Sequence, residues 1–156
     1  MTKSTIGRYW HVVTLVVTVF ALVFQLYLVA AGENILDSSA VTTARPEQVR
    51  RFFSYFTIQA NFLVAVSTFL IVRGRVESQV FRVVRLASLV GITVTGLVHF
   101  VLLRPLLDLD GWDWAADKLL HMVVPVLTVA GWLLVGPRPR VTLLEVRRAI
   151  VWPLAW

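Results

Sequence analysis

The stretch WHVVTLVVTVFALVFQLYLVAA, Trp10 to Ala31, runs for twenty-two residues without a single charge. Crossing about 30 Å of hydrocarbon at about 1.5 Å per residue takes roughly 20 mostly apolar residues, so this stretch reads as a transmembrane helix. Lys3 and Arg8 precede it, and Val29 and Ala31 are small enough for a signal-peptidase site. The apolar run nevertheless outlasts the roughly 7–15 residues of a signal core, and we read it as a retained helix.

Three further stretches downstream have the same character: about 52–72, 86–103 and 119–135. Arg50 and Arg51 precede the second span, and Arg73 and Arg75 follow it. Arg82 and Arg85 precede the third, which Arg104 closes; Lys118 opens the fourth, and Arg138 and Arg140 end it. Basic residues favour the cytoplasmic side, and they concentrate in the N-terminal arm, the connection after the second span and the segment after the fourth. The alternate connections carry Glu33, Asp37 and Glu47, then Asp108, Asp110, Asp113 and Asp117 with Trp112 and Trp114. This pattern predicts a cytoplasmic N-terminus, with the two tryptophans in the outer interfacial belt.

Composition agrees. The chain is 58% hydrophobic and only 15% charged, with mean hydropathy +0.77, whereas soluble domains average about 45–50% and about 25%. The net charge of +6 sits in short connections with no extended basic face, so it reads as topology and predicts no nucleic-acid partner. With no cysteine, thiolate chemistry, disulfides and iron–sulfur ligation are excluded. The expected architecture is all-α, a single polytopic membrane domain over residues 1–156. The segment 148–156, ending Trp152-Pro153-Leu154-Ala155-Trp156, is too short to span. It is either an interfacial helix or an interrupted fifth span, and the second is preferred.

Polar side chains inside such spans are costly and mark function. His11, at the inner mouth of the first span, reads as solvated. With the predicted topology, Gln25, then Thr57, Gln59 and Asn61, then His99, then His121 fall at one depth in the outer half of four spans. Such a layer implies a polar interior or a cavity. Thr57 and Asn61 also suit bonding to helix carbonyls or helix gluing, and His121 suits an interfacial position. Asp117, one turn before His121, is placed to accept its ring N–H. His99 and His121 together leave open axial ligation of a haem.

Two runs carry a family resemblance: Phe53-Ser54-Tyr55-Phe56-Thr57-Ile58-Gln59-Ala60-Asn61, and Leu119-Leu120-His121-Met122-Val123-Val124-Pro125. With Val94-Thr95-Gly96-Leu97-Val98-His99, they resemble the signatures of the androgen-induced-type integral membrane proteins, in particular their bacterial branch. Animal members are membrane threonine hydrolases that cleave fatty acid esters of hydroxy fatty acids. The resemblance implies Thr57 as nucleophile and His121 as its partner. It departs at Gly131, which stands before Trp132 where the family often has an acidic residue.

A threonine hydroxyl needs a base, and His121 is the strong candidate at that depth. Asn61 and Gln59 are the nearest amides for an oxyanion, with His99 and Asp117 in support. The expectation is a hydrolase of lipid-like fatty acyl esters in a bacterial cytoplasmic membrane, without metal or cofactor. The alternatives are a haem-binding electron carrier and a non-enzymatic lipid-binding protein.

Overall fold

In hydrocarbon every backbone polar group needs an internal partner, and a continuous apolar helix is the simplest way to provide one. The computed structural model describes residues 3–31 and 44–156, and all of its regular structure there is helical. Glu33 and Asp37, used above for the topology, lie outside the described residues.

The first helix, α1 (Lys3–Ala31), carries its two mid-span threonines without an unmet donor. Thr14 Oγ1 donates to Trp10 O (2.9 Å) and Thr18 Oγ1 to Thr14 O (2.7 Å). A short α2 (Arg45–Ser54) then meets α3 (Phe56–Val72) at a 67° bend, with Tyr55 extended at φ −69°, ψ 133°. The second span, expected over about 52–72, is therefore broken at Tyr55. The carbonyls released at the break are taken by side chains: Gln59 Nε2 donates to Phe53 O (3.1 Å) and Trp156 Nε1 to Ser54 O (2.8 Å).

After an N-cap at Ser78, α4 (Gln79–Val98) continues through a π-helical turn, His99–Leu103, and a 3-10 turn, Arg104–Leu106. The acid-rich connection is largely α5 (Gly111–Lys118). It runs directly into a second π turn, Leu119–Val123, and then α6 (Val124–Leu134). Prolines account for both π turns. Pro105 and Pro125 have no N–H to return to the carbonyl four residues back, and a wider turn re-registers the ladder.

Among the described residues three stretches are long and apolar enough to cross a bilayer: Thr5–Ala31, Gln79–Leu106 and Gly111–Leu134. A fourth is present if the bent pair Pro46–Ser54 and Phe56–Val72 forms one span. The last helix, α7 (Leu143–Ala155), opens on a capping box, with Thr142 N–H donating to Glu145 Oε2 (2.7 Å) and Glu145 N–H to Thr142 Oγ1 (3.4 Å). It is only 13 residues long, about 20 Å.

The centre of the bundle is α3, packed against α1 on one side and α4 on the other; α4 also receives α6 and α7. Close approach depends on glycine. A Cβ on Gly96 would lie 3.1 Å from Pro125 Cβ, and one on Gly131 would lie 2.6 Å from Trp10 Nε1. The Trp10 indole instead donates to Leu127 O (2.9 Å). His11, expected to be solvated, is only 4% exposed, and its Nε2 lies 2.6 Å from Gly136 O. Packing of α1 against the end of α6 draws it in and supplies the partner that water would otherwise be.

Candidate active site

Thr57 is the second residue of α3, placed at the bend by Tyr55. Its Oγ1 lies 3.1 Å from His121 Nε2, across 64 residues of sequence. The imidazole is held from behind. His121 Nδ1 lies 3.0 Å from Asp117 Oδ1 and 3.1 Å from Asp117 O, so an N–H there donates to Asp117 and leaves Nε2 free to accept from the threonine. Hydroxyl, imidazole and carboxylate thus line up in the order a nucleophile, its base and an orienting group require.

The other oxygen of Asp117 faces a second histidine: His99 Nε2 lies 3.2 Å from Oδ2. That contact is poorly aligned, and although His99 is only 1% exposed, neither of its ring nitrogens has a hydrogen-bond partner among the described residues. The His99 and His121 rings stack face to face, centroids 4.2 Å apart and planes 20° from parallel. Two axial ligands of one haem must instead point nitrogens at each other across the porphyrin plane, which this stack does not do. Lys118 Nζ lies 3.7 Å from Asp117 Oδ2, near the edge of the site and over the Trp114 ring.

The residues expected from the sequence therefore divide. Thr57, His99, Asp117 and His121 converge. Asn61 is adjacent, but its amide N–H groups are already engaged, with Thr57 O (2.8 Å) and Leu120 O (3.3 Å). The second bond has a reason: Val124 N–H reaches back to Leu119 O and Pro125 has no N–H, so Leu120 O is left to Asn61. Asn61 thereby pins the π turn carrying His121 to the helix carrying Thr57. Gln59 points away, its Oε1 accepting from Trp152 Nε1 (2.7 Å) while its amide N–H caps α2.

Thr57, His99, Asp117 and His121 line a cavity of about 720 Å³. Its remaining wall is mostly apolar, with Tyr55 and Phe56 from the bend, Val94 and Val98 from α4, and Gln25 from α1. Pro153 and Trp156 of the C-terminal segment complete it. That last contribution is invisible in sequence, because it depends on α7 running along α4 toward the site. Trp152 there stacks on Phe56 at 4.8 Å and fits over Gly91.

No family model, curated protein or solved structure matches this chain.

Proposed function

We propose that this protein is a membrane-embedded hydrolase of lipid-like fatty acyl esters, with Thr57 as nucleophile, His121 as general base and Asp117 orienting the imidazole. The observation that carries the reading is the Thr57 Oγ1–His121 Nε2 contact at 3.1 Å at the head of an apolar cavity. A cavity of that size is in the range of small-molecule sites, and its apolar wall suits an acyl chain. The resemblance to the androgen-induced-type family, bacterial branch, supports the same assignment.

In this scheme Thr57 Oγ attacks the ester carbonyl carbon while His121 Nε2 takes its proton. The oxyanion points toward the first N–H groups of α3, which have no acceptor within the helix. Tyr55, the N-cap, supplies no side-chain cap either, and the positive end of the helix dipole adds to the stabilisation. This backbone role replaces the one expected of the Asn61 and Gln59 amides. Collapse breaks the bond to the alkoxide, which leaves with the proton from His121. Water, deprotonated by the same nitrogen, then attacks the acyl-threonine and releases the fatty acid with Thr57 restored. We further propose four spans with a cytoplasmic N-terminus, α7 inserting partway as a fifth segment, in a bacterial cytoplasmic membrane.

The test is a serine/threonine-hydrolase probe applied to the protein in membranes. Thr57→Ala and His121→Ala should each abolish labelling and ester hydrolysis with insertion intact, and the double variant should be no worse than either. Thr57→Ser, which keeps the hydroxyl, should retain labelling. Hydrolysis of a lipid ester by Thr57→Ala at the unmodified rate would overturn the role of Thr57 as nucleophile and return it to helix packing.

A further inference from the structure

One histidine in the site has no part in that proton transfer. His99 is buried, stacked on His121, and carries two ring nitrogens without a hydrogen-bond partner among the described residues. A buried imidazole that donates and accepts nothing is costly, and the groups around it have a common character. One ligand atom from each of His99, Asp117 and His121 lies within 4.8 Å of the others.

We propose that His99 Nε2, His121 Nδ1 and a carboxylate oxygen of Asp117 form a site for one zinc-type divalent cation, and that its occupation excludes proton transfer between Thr57 and His121. Tetrahedral ligation with bonds of about 2.0–2.1 Å puts neighbouring ligand atoms about 3.3 Å apart. The Asp117 carboxylate already faces both nitrogens, Oδ1 at 3.0 Å from His121 Nδ1 and Oδ2 at 3.2 Å from His99 Nε2, and a turn of the two stacked rings toward one of these oxygens admits the ion. Two imidazoles and one carboxylate are the donor set of open, three-ligand zinc sites, and the cavity supplies the fourth direction to water. A zinc-bound hydroxide with the Asp117 carboxylate would neutralise the ion, which matters where charge is poorly solvated. Lys118, 3.7 Å from the carboxylate, is the cation that must yield.

The exclusion follows from the tautomer and rests on the hydrolase reading; the binding itself does not. With the ion on Nδ1, the remaining proton of His121 resides on Nε2 and is donated to Thr57 Oγ1. The threonine then becomes the outer partner that orients a ligand, and loses its base. Zinc is therefore an inhibitor of the site that binds it.

The experiment titrates Zn²⁺ alone into the EDTA-stripped full chain in detergent, by calorimetry, with probe labelling followed in parallel. One ion per chain is expected, with labelling lost over the same concentration range and restored by chelation. His99→Ala and His99→Gln should each weaken binding by at least about 100-fold, since loss of a ligand exceeds the 10–100-fold cost of losing an outer partner. The glutamine variant keeps most of the side-chain volume and guards against a fold defect, which thermal melting of the metal-free variants checks. Thr57→Ala, which removes no ligand, should still bind. Stoichiometric binding untouched by both His99 variants would put the ion elsewhere and overturn the proposal, as would no binding. Binding without loss of labelling would overturn the exclusion. If metal-free protein never labels yet binds zinc through His99, the hydrolase reading fails and the metal site stands.

Discussion

Replacing Gly91 with alanine tests how α7 is held, independently of any chemistry. A Cβ at Gly91 would lie 2.6 Å from Trp152 Cζ3 and 2.8 Å from Cη2, distances at which something must move. The far side of the new methyl is no refuge, because Ala60 Cβ of α3 is 3.4 Å away. The indole is itself pinned, since it stacks on Phe56 at 4.8 Å and donates to Gln59 Oε1 at 2.7 Å. Yielding therefore weakens an aromatic pair of about 0.5–1.5 kcal/mol and a hydrogen bond of similar size. The expected loss is about 1–3 kcal/mol, the usual range for overpacking. Thermal unfolding in detergent measures it, and tryptophan fluorescence should report a changed environment for Trp152. The decisive arm is a double-mutant cycle: in a Trp152→Ala background the clash has gone, so Gly91→Ala should cost almost nothing further. Additive losses in the cycle, or a wild-type melting curve for Gly91→Ala, would refute the packing of α7 against α4 argued here.

Other outcomes are equally definite. Asp117→Asn should lower hydrolysis by about 10⁴-fold, because an amide facing Nδ1 favours the tautomer with the proton on Nε2, as in serine-protease triads; activity within about tenfold of wild type would remove Asp117 from the role. The Glu145 carboxyl is held below its ordinary range, first by Thr142 N–H and then by Arg82, whose Nε lies 2.6 Å away. A depressed folded-state pKa contributes stability above the unfolded value and loses it as pH falls through the folded one. Acid should therefore loosen α7, and Glu145→Gln should flatten that acid-side dependence in a melting series. A reporter fused near Gly111 should be reachable from outside and one near Glu77 should not; the reverse pattern would invert the orientation and, with it, the face on which the cavity lies.

The spans were legible in the sequence because a bilayer imposes a length and a polarity that a single helix satisfies without its neighbours. Trp10 to Ala31 needs no tertiary context to be read, and the residues around His99 and His121 need little more. That Gln25, Thr57, His99 and His121 line one cavity was expected from counting residues inward from the charges that bracket each span, a one-dimensional property. Depth, however, says nothing about rotation about a helix axis or about backbone breaks, and those decided the rest. Gln59 and Asn61 sit at the right level, yet the bend at Tyr55 gives Gln59 a freed carbonyl to cap, and Pro125 leaves Asn61 another. The two π turns, which exist because proline cannot close the ladder, set the ring directions that stack His99 on His121 with Asp117 facing both. His11 shows the same limit at the opposite end, solvated by position in sequence but buried once α1 met Gly136. The apolar tail ending at Trp156 was legible only as too short to span; its place against Gly91 and the cavity comes from packing among α3, α4 and α7, which no single segment encodes.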